Sequence, residues 1–151
     1  MADEIQPESQ MEVVTGRVPA SPGKMRYEQF LAWADEDTYA EWVNGEVVML
    51  SPASDPHQNL LSFLDALFRL WVEAHDLGAV RPAPFQMKTG PDLPGREPDL
   101  IFVARQHLDR LQKSHLKGPA DLVVEIVSRD SRARDRGEKF YEYEQGGVRE
   151  Y

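Results

Sequence analysis

The sequence predicts a mixed α/β domain in which three strands in a row lie between two helices. Three observations lead there. Residues 60–72 repeat apolar side chains at helical spacing, PDLIFV and ADLVVEIVS are apolar runs that read as buried strands, and a charged stretch from about Arg132 to Gln145 reads as a second helix. A β-hairpin precedes this unit and the start of a further strand follows it. Three consecutive strands do not fit a regular doubly wound fold, so a mixed sheet is expected.

Taken in order, residues 1–24 are polar, carry Pro7, Pro19 and Pro22 and show no period, which reads as a flexible N-terminal arm before a domain over residues 25–151. RYEQFLAWA, residues 26–34, reads as a short helix. YAEWV and EVVML are β-rich runs joined by Asn44-Gly45, a hairpin signal because both residues tolerate positive φ. Asp55 then caps a helix with Pro56 at its first position. Leu60, Leu61, Leu64, Leu67, Phe68, Trp71 and Val72 give that helix one buried face, and Gly78 stops it.

AVRPAPFQMKT reads as one extended strand, part of it confined to an edge by Pro82 and Pro84. GPDLPGRE is a turn-rich loop, PDLIFV a strand, RQHLDRL a short helix or turn, and ADLVVEIVS the clearest strand of the chain. The charged helix ends at Gly146-Gly147, and VREY opens another strand.

Composition narrows the function classes. The chain has 151 residues, 41% of them hydrophobic, enough for one domain with a real core. With no cysteine there is neither a disulfide framework nor a thiolate zinc site. No apolar run approaches the ~18 residues that span a membrane, and the first residues lack the blocks of a signal peptide. A cytoplasmic protein is expected. The net charge of −9 argues against a general affinity for nucleic acid and leaves room for a local basic patch.

Two acids stand out. Glu125 interrupts VVEIVS, where alternation puts it on one face with Val123 and Val127, and a buried carboxylate is costly unless paired or bound to a metal. Asp99 leads directly into Leu100–Val103. On neighbouring strands the two could converge on one hard cation. Mg²⁺ (or Mn²⁺) suits them, since it takes oxygen ligands and needs only one or two protein carboxylates, with the Ile126 carbonyl as a further donor. Lys139 could stabilise charge on a phosphate.

Each of these residues also has a plainer reading. Asp99 follows Pro98 as turn residues do, and Lys139 stands at i, i+4 from Asp135 as an exposed helical ion pair does. Glu46, at the turn of the hairpin, and His57, in the first turn of the long helix, read first as polar surface residues that could join a site where hairpin and helix meet. Lys88 reads as exposed. Arg129, Arg132, Arg134 and Arg136 could track a nucleic-acid backbone or form a salt-bridged helix start. Phe140, Tyr141 and Tyr143 read as packing.

Together these motifs resemble the PD-(D/E)XK nuclease superfamily, whose αβββαβ core carries an Asp after Pro on one strand and an Asp or Glu on the next, here Pro98-Asp99 and Glu125. More closely, the chain is similar to the Uma family of restriction-type endonucleases. The resemblance runs through YAEWVNGEVVMLSPAS, His57, EPDLIFV and PADLVVEIVSRDSRARDRGEKFYEYEQGGVREY, over roughly residues 26–151. It implies a restriction-endonuclease-like fold, a magnesium-dependent endonuclease acting on DNA, and Asp99 and Glu125 as metal ligands. The superfamily lysine two residues after the second acid is Val127 here, and in similar families it stands on the following helix, which matches Lys139. Glu46 and His57 match recurrent positions. Family members continue past the EY where this chain stops at Tyr151, so the final strand is expected to be truncated or completed by a partner chain. The rival reading is a non-catalytic nuclease-fold module that binds DNA or a protein partner. A homodimer is expected if both strands of a duplex are cut.

Overall fold

The computed structural model describes residues 23–35, 37–128 and 134–151. The arm expected over residues 1–24 lies, up to residue 22, outside the described residues. Helix α1 (Tyr27–Trp33) is followed by the hairpin β1 (Ala40–Val43) and β2 (Glu46–Met49). Its turn is Asn44-Gly45, with φ of 51° and 90°, the left-handed pair this hairpin type demands. Helix α2 (Asp55–Ala74) begins one residue earlier than expected, with Ser54 and not Asp55 at the N-cap position and Pro56 still in its first turn. Then come β3 (Gly78–Pro82), β4 (Gln86–Lys88), β5 (Gly95–Arg96), β6 (Leu100–Ala104), a 3-10 turn (Arg105–Arg110), β7 (His115–Lys117) and β8 (Leu122–Val124). A π-type turn (Arg134–Glu138) leads into α3 (Lys139–Gly146).

The strands form two sheets. One runs β2-β1-β5-β4-β7 and the other β3-β6-β8. The predicted αβββαβ core is α2, then β3, β6 and β8, then α3, closed by Glu150. That last residue makes an isolated parallel bridge to Leu122, which is all the strand pairing that VREY contributes. Within this sheet β6 is central and antiparallel to both neighbours, with Ile101 opposite Arg81 on one side and Val123 on the other. Its residues alternate between two cores. Ile101 and Val103 pack with Met87, Leu116, Val123 and Tyr143 on one face, and Leu100 packs with Leu61, Val72 and Val80 under α2 on the other. A third cluster, Tyr27, Phe30, Ala40 and Val47, joins α1 to the hairpin.

Four further expectations change. AVRPAPFQMKT is not one strand. It breaks at Ala83-Pro84 into β3, which ends on Pro82 opposite Leu100, and β4, which belongs to the other sheet; Pro84 lacks the N–H a ladder needs. The loop GPDLPGRE contains β5, and β7 pairs in parallel with β4; at two and three residues both are too short to show a period. Strand β8 ends at Val124, so Glu125 stands just beyond the strand and not in its middle. Asp99 causes this, since its Oδ2 accepts a hydrogen bond from Ile126 N at 2.6 Å where a ladder partner would be. Finally, α2 has two apolar faces. Leu61 and Val72 are buried, whereas Leu60, Leu67 and Trp71 are exposed.

Gly95 is closely packed near the seam between the sheets. A Cβ there would fall in the space held by the buried Tyr27 ring. Gly95→Ala should cost about 1–3 kcal/mol through overpacking and lower the melting temperature by several degrees. Gly137→Ala, with nothing within 4 Å of the new Cβ, should leave it unchanged in the same thermal melt.

Candidate functional site

The segment Arg96-Glu97-Pro98-Asp99 crosses from β5 in one sheet to β6 in the other, and the polar cluster assembles along it. Each neighbouring element adds one side chain. Strand β1 supplies Glu41, the end of β8 supplies Glu125, the first turn of α2 supplies His57, and the first residue of α3 supplies Lys139.

Lys139 is the hub. It is 3% exposed, and its ammonium lies 2.8 Å from Glu125 Oε1 and 3.0 Å from Glu41 Oε1. Lys139 is therefore buried, where i, i+4 spacing suggested an exposed position; the side chain of Asp135 lies outside the described residues. Tyr143, one turn along α3, donates its hydroxyl to the same Glu125 oxygen at 2.7 Å. Burial raises the Glu125 carboxyl from its ordinary 4.5 to about 7, a rise opposed by Lys139 and Tyr143 and reinforced by the charge of Asp99.

Glu41 is wholly buried and takes a second cation on its other oxygen, Arg96 Nη1 at 2.8 Å. Burial pushes Glu41 up, but Lys139 and Arg96 together outweigh it and hold the carboxyl below the usual carboxylate range. Arg96 also grips Glu142 of α3 in a two-pronged contact, with Nε at 2.7 Å and Nη2 at 2.8 Å. One guanidinium thus ties β1, β5 and α3 together, which suits its planar fork.

Glu97 is buried as well. Gln86 Nε2 donates to its Oε2 at 2.9 Å and to the Ala40 carbonyl at 2.6 Å, while Oε1 has no partner. Burial raises Glu97 to about 7, with Gln86 and Lys139 pulling down and Glu41 and Asp99 pushing up. Asp99 completes the row. Its Oδ1 lies 3.1 Å from His57 Nε2, and His57 Nδ1 is buried without a partner.

The structure thus brings Asp99, Glu125, Lys139 and His57 into one cluster. Glu46 stays outside it. Glu46 sits opposite Val43 at the turn end of the hairpin, beyond the cover of the sheet, and pairs with Lys24 at 3.7 Å in solvent. The acid that the hairpin contributes is Glu41. Lys88 is also elsewhere, over the rings of Tyr27 and Trp42 and bonded to the Leu93 carbonyl. Arg129 and Arg132 lie outside the described residues, as does the side chain of Arg134. Arg136 is exposed and shares an open cleft of about 390 Å³ with Glu125, Val127 and Tyr151. Of the three aromatic residues, Tyr143 packs in the core while Phe140 and Tyr141 are exposed.

Sequence reasoning missed Glu41, Arg96, Glu97 and Glu142. For Glu41 the signal was present, since YAEWV is an acid inside a β-rich run just as VVEIV is. Arg96 and Glu97 were hidden inside a segment that reads as loop. Among the described residues, no helix is long and apolar enough to cross a membrane.

The raised Glu125 carboxyl has a thermodynamic consequence. Between about pH 4.5 and 7 the folded state binds more protons than the unfolded chain, so the contribution of Glu125 to stability falls as pH rises through that window. Glu125→Gln removes the titration. The melting temperature of the variant relative to wild type should therefore climb from pH 5 to pH 8, and a flat difference would contradict the burial argument.

The family described as "Uma2: Putative restriction endonuclease" matches residues 27–151. Among solved structures, that of a putative nuclease belonging to DUF820 from Anabaena variabilis ATCC 29413 aligns with a TM-score of 0.67. The alignment covers 82% of this chain and 70% of that one at 13% identity, so the likeness is one of fold. No curated protein matches the chain.

Proposed function

Because the chain belongs to the Uma2 family of putative restriction endonucleases, we propose that it is a Mg²⁺-dependent endonuclease hydrolysing DNA phosphodiester bonds. Asp99 and Glu125 would hold the metal, Lys139 would stand at the reacting phosphate, and the exposed Arg136 would meet the backbone. The observation that carries this reading is the buried Lys139 ammonium 2.8 Å from Glu125, on the strand end that Asp99 pins through Ile126. It supplies the lysine that the strand itself lacks at Val127.

The donor set suits a hard divalent cation. Asp99 and Glu125 offer two carboxylates, burial raises both Glu97 and Glu125 with the charge of Asp99 adding to it, and Glu97 Oε1 is buried unpartnered. A cation would relieve that crowding. Among the described residues no three acids or histidines form a complete cage, and Mg²⁺ needs none, since it keeps several waters. When bound, Mg²⁺ supplies polarisation of the phosphate and activation of water.

The protein's own groups do the rest. Lys139, pinned between Glu125 and Glu41, holds a fixed positive charge where negative charge develops on the phosphoryl oxygens. His57 fixes the orientation of Asp99 through Oδ1 while Ile126 N holds Oδ2. The rival reading, a non-catalytic binding module, draws on the displaced lysine, the expected truncation of the last strand and the net charge of −9. The contact between Lys139 and Glu125 speaks against the first of these grounds.

Plasmid nicking in Mg²⁺ or Mn²⁺ tests the proposal. Asp99→Ala and Glu125→Ala should each lose on the order of 100-fold or more in rate together with the heat of metal binding, and Lys139→Gln should lose a comparable rate while still binding metal. Nicking that survives the double substitution Asp99→Ala/Glu125→Ala would sink the assignment. Arg136→Ala should weaken DNA binding and reduce the slope of log affinity against log salt by about 0.9, read by fluorescence anisotropy across a salt series.

A further inference from the structure

Helix α2 shows solvent a second apolar face that nothing in the described chain covers. Leu61, Leu64, Phe68 and Val72 face the sheet. On the other side Leu60, Phe63, Leu67, Leu70 and Trp71 are between 45% and 72% exposed. Single exposed apolar side chains need no explanation, but five in a row along one helix do. Their spacing is regular. Positions 60, 63, 67, 70 and 74 step by three and four, the repeat of a coiled-coil seam, and Ala74 ends it.

We propose that this face is the interface between two copies of the chain, with the two α2 helices packed antiparallel about a two-fold axis at Leu67. A seam of this spacing asks for another long helix. Among the described residues, α1 has 7 residues and α3 has 8, so neither can fill it from within. The row is also self-complementary, as a two-fold interface requires. Counted from Leu67, Phe63 and Leu70 lie at −4 and +3, and Leu60 and Ala74 at −7 and +7. An antiparallel copy therefore sets Phe63 against Leu70 and Trp71, and the larger Leu60 against the small Ala74.

Area and charge agree. The five side chains expose on the order of 500 Å², the greater part of the roughly 800 Å² per partner that a stable interface buries. The row holds no charged residue, so two copies of a chain of net charge −9 meet there without opposing like charges.

The test uses the full chain and reads association rather than cleavage, so its outcome is independent of the nuclease reading. Sedimentation velocity at tens of micromolar should give twice the chain mass for wild type and the chain mass for Leu67→Glu, with unchanged far-ultraviolet circular dichroism. Should Leu67→Glu fail to fold, a milder variant decides. The chain has no cysteine, so Leu67→Cys under mild oxidation should give a disulfide-linked dimer on a non-reducing gel. Gln58→Cys, exposed on the same helix but off the row, should not. A monomeric wild type, an undiminished dimer in folded Leu67→Glu, or equal cross-linking of both cysteine variants would overturn the proposal.

Discussion

A lysine ammonium buried between two carboxylates is the constraint on which the rest of this structure depends. Removing one charge from water costs several kcal/mol, and Lys139, Glu41, Glu125 and Arg96 are all removed from it together. Such a group is tolerated only if every member is matched. The chain achieves this by drawing its members from four places: a hairpin strand, a sheet crossing, a strand end and a helix start. Each pair also joins two elements. Lys139 joins α3 to β1 and to the end of β8, and Arg96 joins β5 to β1 and α3. The fold thus holds its most expensive side chains at the seam between its two sheets. Removing any one member weakens a buried charge network that four elements share.

The same cluster is unbalanced along one edge. Glu41 is matched by two cations and sits low, while Glu97 and Glu125 are pushed to about 7. Burial raises both Glu97 and Glu125, and the charge of Asp99 adds to it. An arrangement selected for stability alone would have replaced one of these acids by an amide or an apolar group, as buried ionic clusters can be with gain. Glu97 and Asp99 on one sheet crossing, with Glu125 at the end of the neighbouring strand, are the electrostatic feature on which the proposed function draws.

Much of this architecture was legible in the sequence because it rests on period and punctuation. The hairpin followed from Asn44-Gly45, α2 from its apolar repeat, and β6 and β8 from apolar runs. The two-sheet division was not legible. It turns on β5 and β7, whose few residues carry no period, and on prolines that divide one extended segment between two sheets. The site was half legible for a related reason. Asp99 and Glu125 announce themselves as acids in apolar company, but the neighbourhood of Lys139 is a matter of tertiary register. Local spacing gave Lys139 only an exposed helical position, and nothing in it pointed to the buried Glu125 and Glu41 that Lys139 meets. Local patterns report which residues are unusual, and only the packing of α3 against both sheets reports what answers them.

Helix α2 shows how little separates the site from the surface. Its first turn carries His57, which holds Asp99, and its inner face covers Leu100, the next residue of β6. Its outer face carries the exposed seam. Any force that rotates or shifts α2 to seat that seam must move His57 with it, since a helix this short transmits displacement without bending. Antiparallel pairing about Leu67 would set the two His57 residues ten helical positions either side of the axis, about 30 Å apart at 1.5 Å per residue. Site and interface would then be two ends of one rigid rod, so the geometry of the pair would be fixed by the same twenty residues that orient the acid.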